Sequence, residues 1–177
     1  PPASARPMVP EPMMAIRFPV SIAPSPVFPK VRRIVRDGDG GAWRVQGDPT
    51  EGALVVAACK FGISAAEFER FPRIGEIPFT SERKRHTTVH VDRENPAELR
   101  VFVKGAPDVI LDLCTRSLES GQLVNLTGER RATILEQNRD MARQALRVLA
   151  VACRPLTALP DNVSPETIEK DLVFIGM

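Results

Sequence analysis

The rhythm of apolar and polar positions changes several times along this 177-residue chain, and each change marks an element. Two short β-prone stretches, residues 31–35 and 42–45, flank the turn sequence Asp37-Gly38-Asp39-Gly40-Gly41. Asp48 then reads as a helix N-cap, with Pro49 at the first helical position and Glu51 at the third. The helix runs to Lys60 and stops near Gly62, which can take the left-handed cap. It is apolar on most faces, which predicts burial. A second capping box, Ser64-x-x-Glu67, opens a short helix toward Phe71. Strands are predicted over 73–79 and 84–92, joined by the polar turn 80–83, and again over 99–104. Pro107 starts a helix that reaches Leu113. The longest helical pattern covers 128–145, with Thr127 as cap and Ile134, Leu135, Met141, Ala142 and Ala145 as the inward stripe. Residues 147–153 read as a buried strand, Ser164-Pro165 begins a short helix, and 172–177 reads as a closing strand. Hairpin-like strand pairs mixed with helices predict an α+β domain built on a largely antiparallel sheet.

Composition narrows this picture. Hydrophobic residues make up 43% of the chain and charged residues 26%, as in an ordinary globular domain. Twenty-four basic and 22 acidic side chains leave a net charge of +2, so no global field draws the chain to nucleic acid or anionic lipid. No apolar run reaches the roughly 18–20 residues that span a bilayer. The three cysteines form no Cys-x-x-Cys pair, which favours free, buried thiols over a disulfide framework. Residues 1–30 hold nine of the 17 prolines and no glycine. Such a stretch cannot pair as a central strand, so it is expected to be a disordered or loosely docked leader to a domain over 31–177.

Candidate chemistry is sparse. Neither a Gly-x-x-x-x-Gly-Lys-Ser/Thr loop nor a Gly-x-Gly-x-x-Gly fingerprint is present. The aspartates near residue 38 do not make a calcium loop, because Ala42 occupies the place of its glycine. His86 and His90 share a strand face, but no nearby cysteine completes a zinc set. Phe79, ending a strand, reads on burial habits as core. Lys104 reads as a solvated strand terminus, and Glu51 as the carboxylate of a capping box. The run Arg83-Lys84-Arg85-His86 reads as a charged strand edge that discourages edge-to-edge pairing.

Three segments then point beyond these readings: Gly47-Asp48-Pro49-Thr50-Glu51-Gly52-Ala53-Leu54, Pro78-Phe79-Thr80-Ser81-Glu82-Arg83-Lys84-Arg85 and Phe102-Val103-Lys104-Gly105-Ala106-Pro107. In this order and spacing they resemble the nucleotide-binding domain of cation-transporting P-type ATPases, most closely the calcium-pump-like class. The resemblance implies the family's sheet-with-helices fold over 31–177, and ATP as ligand, with Mg²⁺ in the intact pump. By the same resemblance Phe79 stacks on adenine, Glu51 accepts from its amino group, and Lys84 lines the pocket. Lys104 would reach over the nucleotide, and Gly105 would let the backbone come close. Arg147 would fork two hydrogen bonds to phosphate oxygens. The sequence departs from the pattern at Ser81, often arginine, and at His86, often methionine, which implies one phosphate contact fewer. The Asp-Lys-Thr-Gly-Thr segment bearing the family's phosphorylated aspartate is absent from these residues. The expectation is therefore an ATP-holding fragment without a catalytic residue or bound metal, which does not hydrolyse ATP alone.

The implied partners are the phosphorylation and actuator domains of a pump, and the implied setting is the cytoplasmic side of an integral protein of the plasma membrane. The fragment itself is expected to touch neither membrane nor nucleic acid. Two readings compete: an interaction module of the same fold insensitive to nucleotide, and a nucleic-acid binder acting through residues 83–86.

Overall fold

The computed structural model describes residues 21–22, 31–36, 43–63, 67 and 69–177. The chain divides into two units, Pro1–Ala65 and Ala66–Met177, each with its own internal packing.

The first unit carries a three-stranded antiparallel sheet in the order β1 (Ser21–Ile22), β2 (Val31–Arg36), β3 (Trp43–Gly47). Ser21 pairs with Val35, and Ile34 with Val45. The leader expected over 1–30 otherwise falls outside the described residues, as do the turn at 37–41 and most of the box at 64–67. Helix α1 (Pro49–Lys60) follows β3 directly. Asp48 caps it: its Oδ1 accepts the N–H of Thr50 at 2.8 Å and of Glu51 at 3.2 Å. Gly52 is pressed on Val45 of β3, where a Cβ would stand 2.4 Å from a valine methyl, so glycine sets how closely helix and strand pack. Gly62 takes φ +82°, and the Ile63 N–H returns to Ala58 O at 3.1 Å, the left-handed ending expected of it.

The second unit holds a seven-stranded sheet in the order β4-β5-β6-β9-β10-β7-β8. Its strands are β4 (Arg73–Ile77), β5 (Arg85–Asp92), β6 (Asn95–Gly105), β7 (Cys114–Glu119), β8 (Gln122–Asn125), β9 (Ala150–Leu156) and β10 (Leu172–Gly176). Every pairing is antiparallel except β10 with β7. Among the described residues, helices α2 (Pro107–Asp112), α3 (Gly128–Arg143) and α4 (Pro165–Ile168) accompany this sheet. The α+β class with a largely antiparallel sheet is thus the one the sequence predicts.

Alternation sets the core face in β6 and β9, while β5 is buried on both faces from His86 to His90. Thr87, Val103, Ala152 and Phe174 lie in register across β5, β6, β9 and β10, and Val89 faces Val101 beside them. This face packs with Ile110 and Leu111 of α2 and Ile134 of α3 in one buried cluster. Burying such side chains contributes roughly 1.5–3 kcal/mol each. Arg131 of α3 donates to the carbonyls of Leu111 and Cys114, the second at 3.0 Å, satisfying the end of α2 that has no helical partner.

Several boundaries differ from the sequence reading. Helix α3 begins at its expected cap, with Thr127 Oγ1 accepting the Arg130 N–H at 3.2 Å, but it ends at Arg143. Ala145 turns left-handed at φ +59°, so it leaves the inward stripe, and Ala142 is exposed. The strand expected over 147–153 starts only at Ala150, the first residue with a ladder partner, Gly105. Burial was expected on most faces of α1, yet Ala53 and Ala57 are exposed while Val55 is buried. The hairpin of β7 and β8 was not foreseen; its two turn residues, Ser120 and Gly121, have φ of +49° and +80°. The Ser-Gly pair was its signal.

Candidate functional site

One end of the seven-stranded sheet collects most of the residues singled out from sequence. There β4 ends, β5 begins, β6 ends and β9 begins, because Arg85 pairs with Gly105 and Gly105 with Ala150. Antiparallel register therefore brings Lys84, Lys104 and Gly105 to one rim, with Phe79 just past β4 and Arg147 three residues ahead of β9. Glu51 belongs to the first unit, on the opening turn of α1, and is only 3% exposed.

The link between β4 and β5 is a tight polar turn. The Lys84 N–H donates to Thr80 O at 2.8 Å, and Arg83 donates its own N–H to Thr80 Oγ1 at 3.2 Å. Lys84 itself sits at φ +50°, a left-handed conformation that costs a non-glycine residue on the order of 1 kcal/mol. Its carbonyl accepts the Ala106 N–H at 3.1 Å, joining the turn to the start of α2. Phe79 is 50% exposed, so the core reading of this aromatic does not hold.

Gly105 has a structural reason to be glycine. A Cβ there would stand 2.5 Å from the Lys84 carbonyl oxygen and 2.8 Å from Arg85 Cβ. The close approach is to the neighbouring strand, β5. Lys104, one residue earlier, is half-buried on the face opposite the core, between His86 of β5 and Val151 of β9. His86 is buried, with Nε2 3.1 Å from Glu76 Oε1. Arg147 is exposed in the segment between α3 and β9.

Sequence reasoning missed Glu169, immediately after α4. Its side chain is fully buried and receives Arg83, Arg85 Nε at 2.5 Å and Thr87 Oγ1 at 2.5 Å. Nothing local announces it, since its partners lie more than 80 positions away. The basic run 83–86 is therefore not a uniform charged edge.

A groove of about 520 Å³ lies elsewhere in the same unit, lined by Leu118, Glu119, Arg130, Asp140, Met141 and Phe174 among others. None of the predicted site residues lines it. Its two carboxylates against one arginine, itself paired to Glu119 at 2.6 Å, suit a polyanion poorly. Among the described residues no group of three or more His, Cys, Asp or Glu side chains could hold a metal ion, and no helix is long and apolar enough to cross a membrane. Cys114 and Cys153 are free thiols, and burial pushes the Cys114 thiol up to about 12.

Fold and rim together define an α+β domain that offers cations and an open aromatic without a glycine-rich phosphate loop. The family described as the cytoplasmic N domain of P-type ATPases matches residues 31–177, and the chain belongs to it. The resemblance carried by the three segments holds. The chain is similar to the calcium-transporting ATPase 1 of Bacillus cereus, 40% identical over 132 residues, covering 74% of this chain and 14% of that protein. It is also similar to the calcium-transporting ATPase of Bacillus subtilis, 39% identical over 143 residues, covering 80% of this chain and 15% of the relative. The cation-transporting ATPase pma1 of Synechocystis is 37% identical over 140 residues, covering 78% and 15%. The chain thus spans 14% to 15% of the length of these relatives.

Proposed function

We propose that residues 31–177 bind ATP and position its γ-phosphate for transfer to an aspartate on a separate domain of a cation-transporting pump. The observation that carries this reading is the register of β5, β6 and β9, which sets Lys84, Lys104 and Gly105 on one rim with exposed Phe79 and the segment of Arg147. An aromatic face for adenine and separate cations for a triphosphate are what recognition without a phosphate loop requires. Glu51 accepts from the adenine amino group in this reading.

Phosphoryl transfer depends on positioning and charge neutralisation. This chain supplies the positioning. Mg²⁺, in the intact pump, is held by the catalytic side of the transfer. The parent is a membrane pump, cytoplasmic over this domain and placed in the plasma membrane, whose phosphorylation and actuator domains are its partners.

The test is an amide NMR titration of the full chain with ATP, repeated for Lys104→Ala. Saturating shifts at Glu51, Phe79, Lys84, Lys104 and Arg147, weakened in the variant, are expected, with no turnover of ATP by either protein. A folded spectrum unmoved by millimolar ATP would defeat the proposal and select an interaction module of the same fold.

A further inference from the structure

We infer that Glu169 is a positioning residue of the nucleotide rim, a buried carboxylate that draws Arg83 and Arg85 inward and so fixes Lys84 between them. The inference rests on the ATP reading above for its consequence, though the contacts stand without it. The carboxylate has no exposure, while the side chains of Arg83 and Arg85 keep only 19% and 18%. An ionised carboxylate withdrawn from water is costly unless paired and hydrogen-bonded, and here both oxygens are used. Oε1 takes Arg83 and the Thr87 hydroxyl; Oε2 takes Arg85.

The two arginines also staple the turn itself. Arg83 Nη1 donates to Pro78 O at 2.7 Å, and Arg85 Nη1 donates to Arg83 O at 3.3 Å. Arg83 Nε is buried with no partner, so the guanidinium holds this place at the expense of one of its own donors. Lys84, flanked by these anchors, is exposed and held in the left-handed region that lysine does not choose unaided.

A division of labour follows within one basic run. Arg83 and Arg85 are spent on Glu169, and Lys84 is the cation presented to a phosphate. Neutralising Glu169 removes the carboxylate that both inward guanidinium groups contact directly, and leaves them only the weaker field of Glu166 on α4. They swing outward and release the turn, and Lys84 loses its fixed place.

The experiment is a double-mutant cycle in the full chain, with Glu169→Gln, Lys84→Ala and both together, reading ATP affinity by titration. Glu169→Gln is expected to weaken ATP about tenfold in the wild-type background, equivalent to ~1.4 kcal/mol, and to add almost nothing once Lys84 is alanine. Equal losses in both backgrounds would make Glu169 a general support of the fold and overturn the inference. A parallel arm measures hydrogen exchange at the Lys84 and Ala106 amides, which faster opening of the turn should accelerate in Glu169→Gln.

Should the wild type bind no ATP, the proposed function fails, and the exchange arm alone decides the positioning role: unchanged rates overturn it, faster rates sustain it. If Glu169→Gln does not fold, Arg83→Gln and Thr87→Val each remove one of its contacts. The same non-additivity with Lys84→Ala is then expected, and strict additivity sinks the idea.

Discussion

Replacing Gly105 by alanine tests the construction of the rim at its tightest point. The added methyl would lie 2.5 Å from the Lys84 carbonyl oxygen, 2.8 Å from Arg85 Cβ and 2.9 Å from Arg85 Cα. These atoms are backbone or fixed to it, so no side-chain rotation relieves them. The strands must part where Arg85 faces Gly105, which also stretches the 3.1 Å bond from the Ala106 N–H to Lys84 O. Overpacking of this kind costs typically 1–3 kcal/mol, and the strained hydrogen bond about 1 more, so a loss of about 3 kcal/mol is expected. With a urea slope of about 2 kcal/mol/M, the midpoint should fall by about 1.5 M. The sole tryptophan, Trp43, lies in the three-stranded sheet, so the readout should be amide signals of Thr87 and Val103 rather than fluorescence. Gly128→Ala is the control, since a Cβ there meets nothing within 4 Å. A Gly105→Ala midpoint equal to that of the wild type would refute the steric argument.

Phe79→Ala should leave stability within about 0.5 kcal/mol, the side chain being 50% exposed, yet weaken ATP about tenfold, because base–aromatic stacking is worth ~1–3 kcal/mol. Calorimetric titration reads the affinity and a urea transition the stability; a variant that loses stability and keeps its affinity would return Phe79 to a packing role. Asp92 accepts two bonds from the Arg70 guanidinium, at 2.8 and 2.6 Å, and that pairing lowers its carboxyl from 3.8 to about 2. With the folded value below the unfolded one, this contribution is whole above pH 3.8 and disappears as pH falls toward 2. Asp92→Asn should therefore be less stable at neutral pH and show a flatter acid limb in urea midpoints across that window; an unaltered limb counts against the pairing.

The elements most legible in the sequence were those with local punctuation. Asp48-Pro49 and Gly62 bracket α1 because capping and the left-handed ending are settled by neighbours a few residues away. Thr127 opens α3 for the same reason. Where tertiary pairing decides, the pattern misled. The apolar run through Leu146 and Val148 reads as strand, but only from Ala150 does β6 offer it a ladder partner. Phe79 looked like core by type, and only its place beyond β4 leaves it exposed. Phe79, Lys84, Lys104 and Gly105 were readable through the second and third segments, which the register of β5 and β6 brings to one rim. Glu169 was invisible, since a buried carboxylate held by residues more than 80 positions away leaves no periodicity or spacing.

The single parallel pairing has a consequence for how the chain acquires this shape. β10, the last strand in sequence, sits in space between β9 and β7. Until it arrives, the sheet is two separate pieces, β4-β5-β6-β9 and the hairpin β7-β8, and an isolated hairpin is marginal in water. Phe174 also completes the row begun by Thr87, Val103 and Ala152, so the core is open along that side until then. During synthesis this domain cannot close progressively from its N-terminal end; it must wait for residues 172–176 to leave the ribosome and then zip a central strand into a gap. The step that completes the sheet is thus its most non-local one, and it exposes two unpaired strand edges, on β9 and β7, for as long as translation lags.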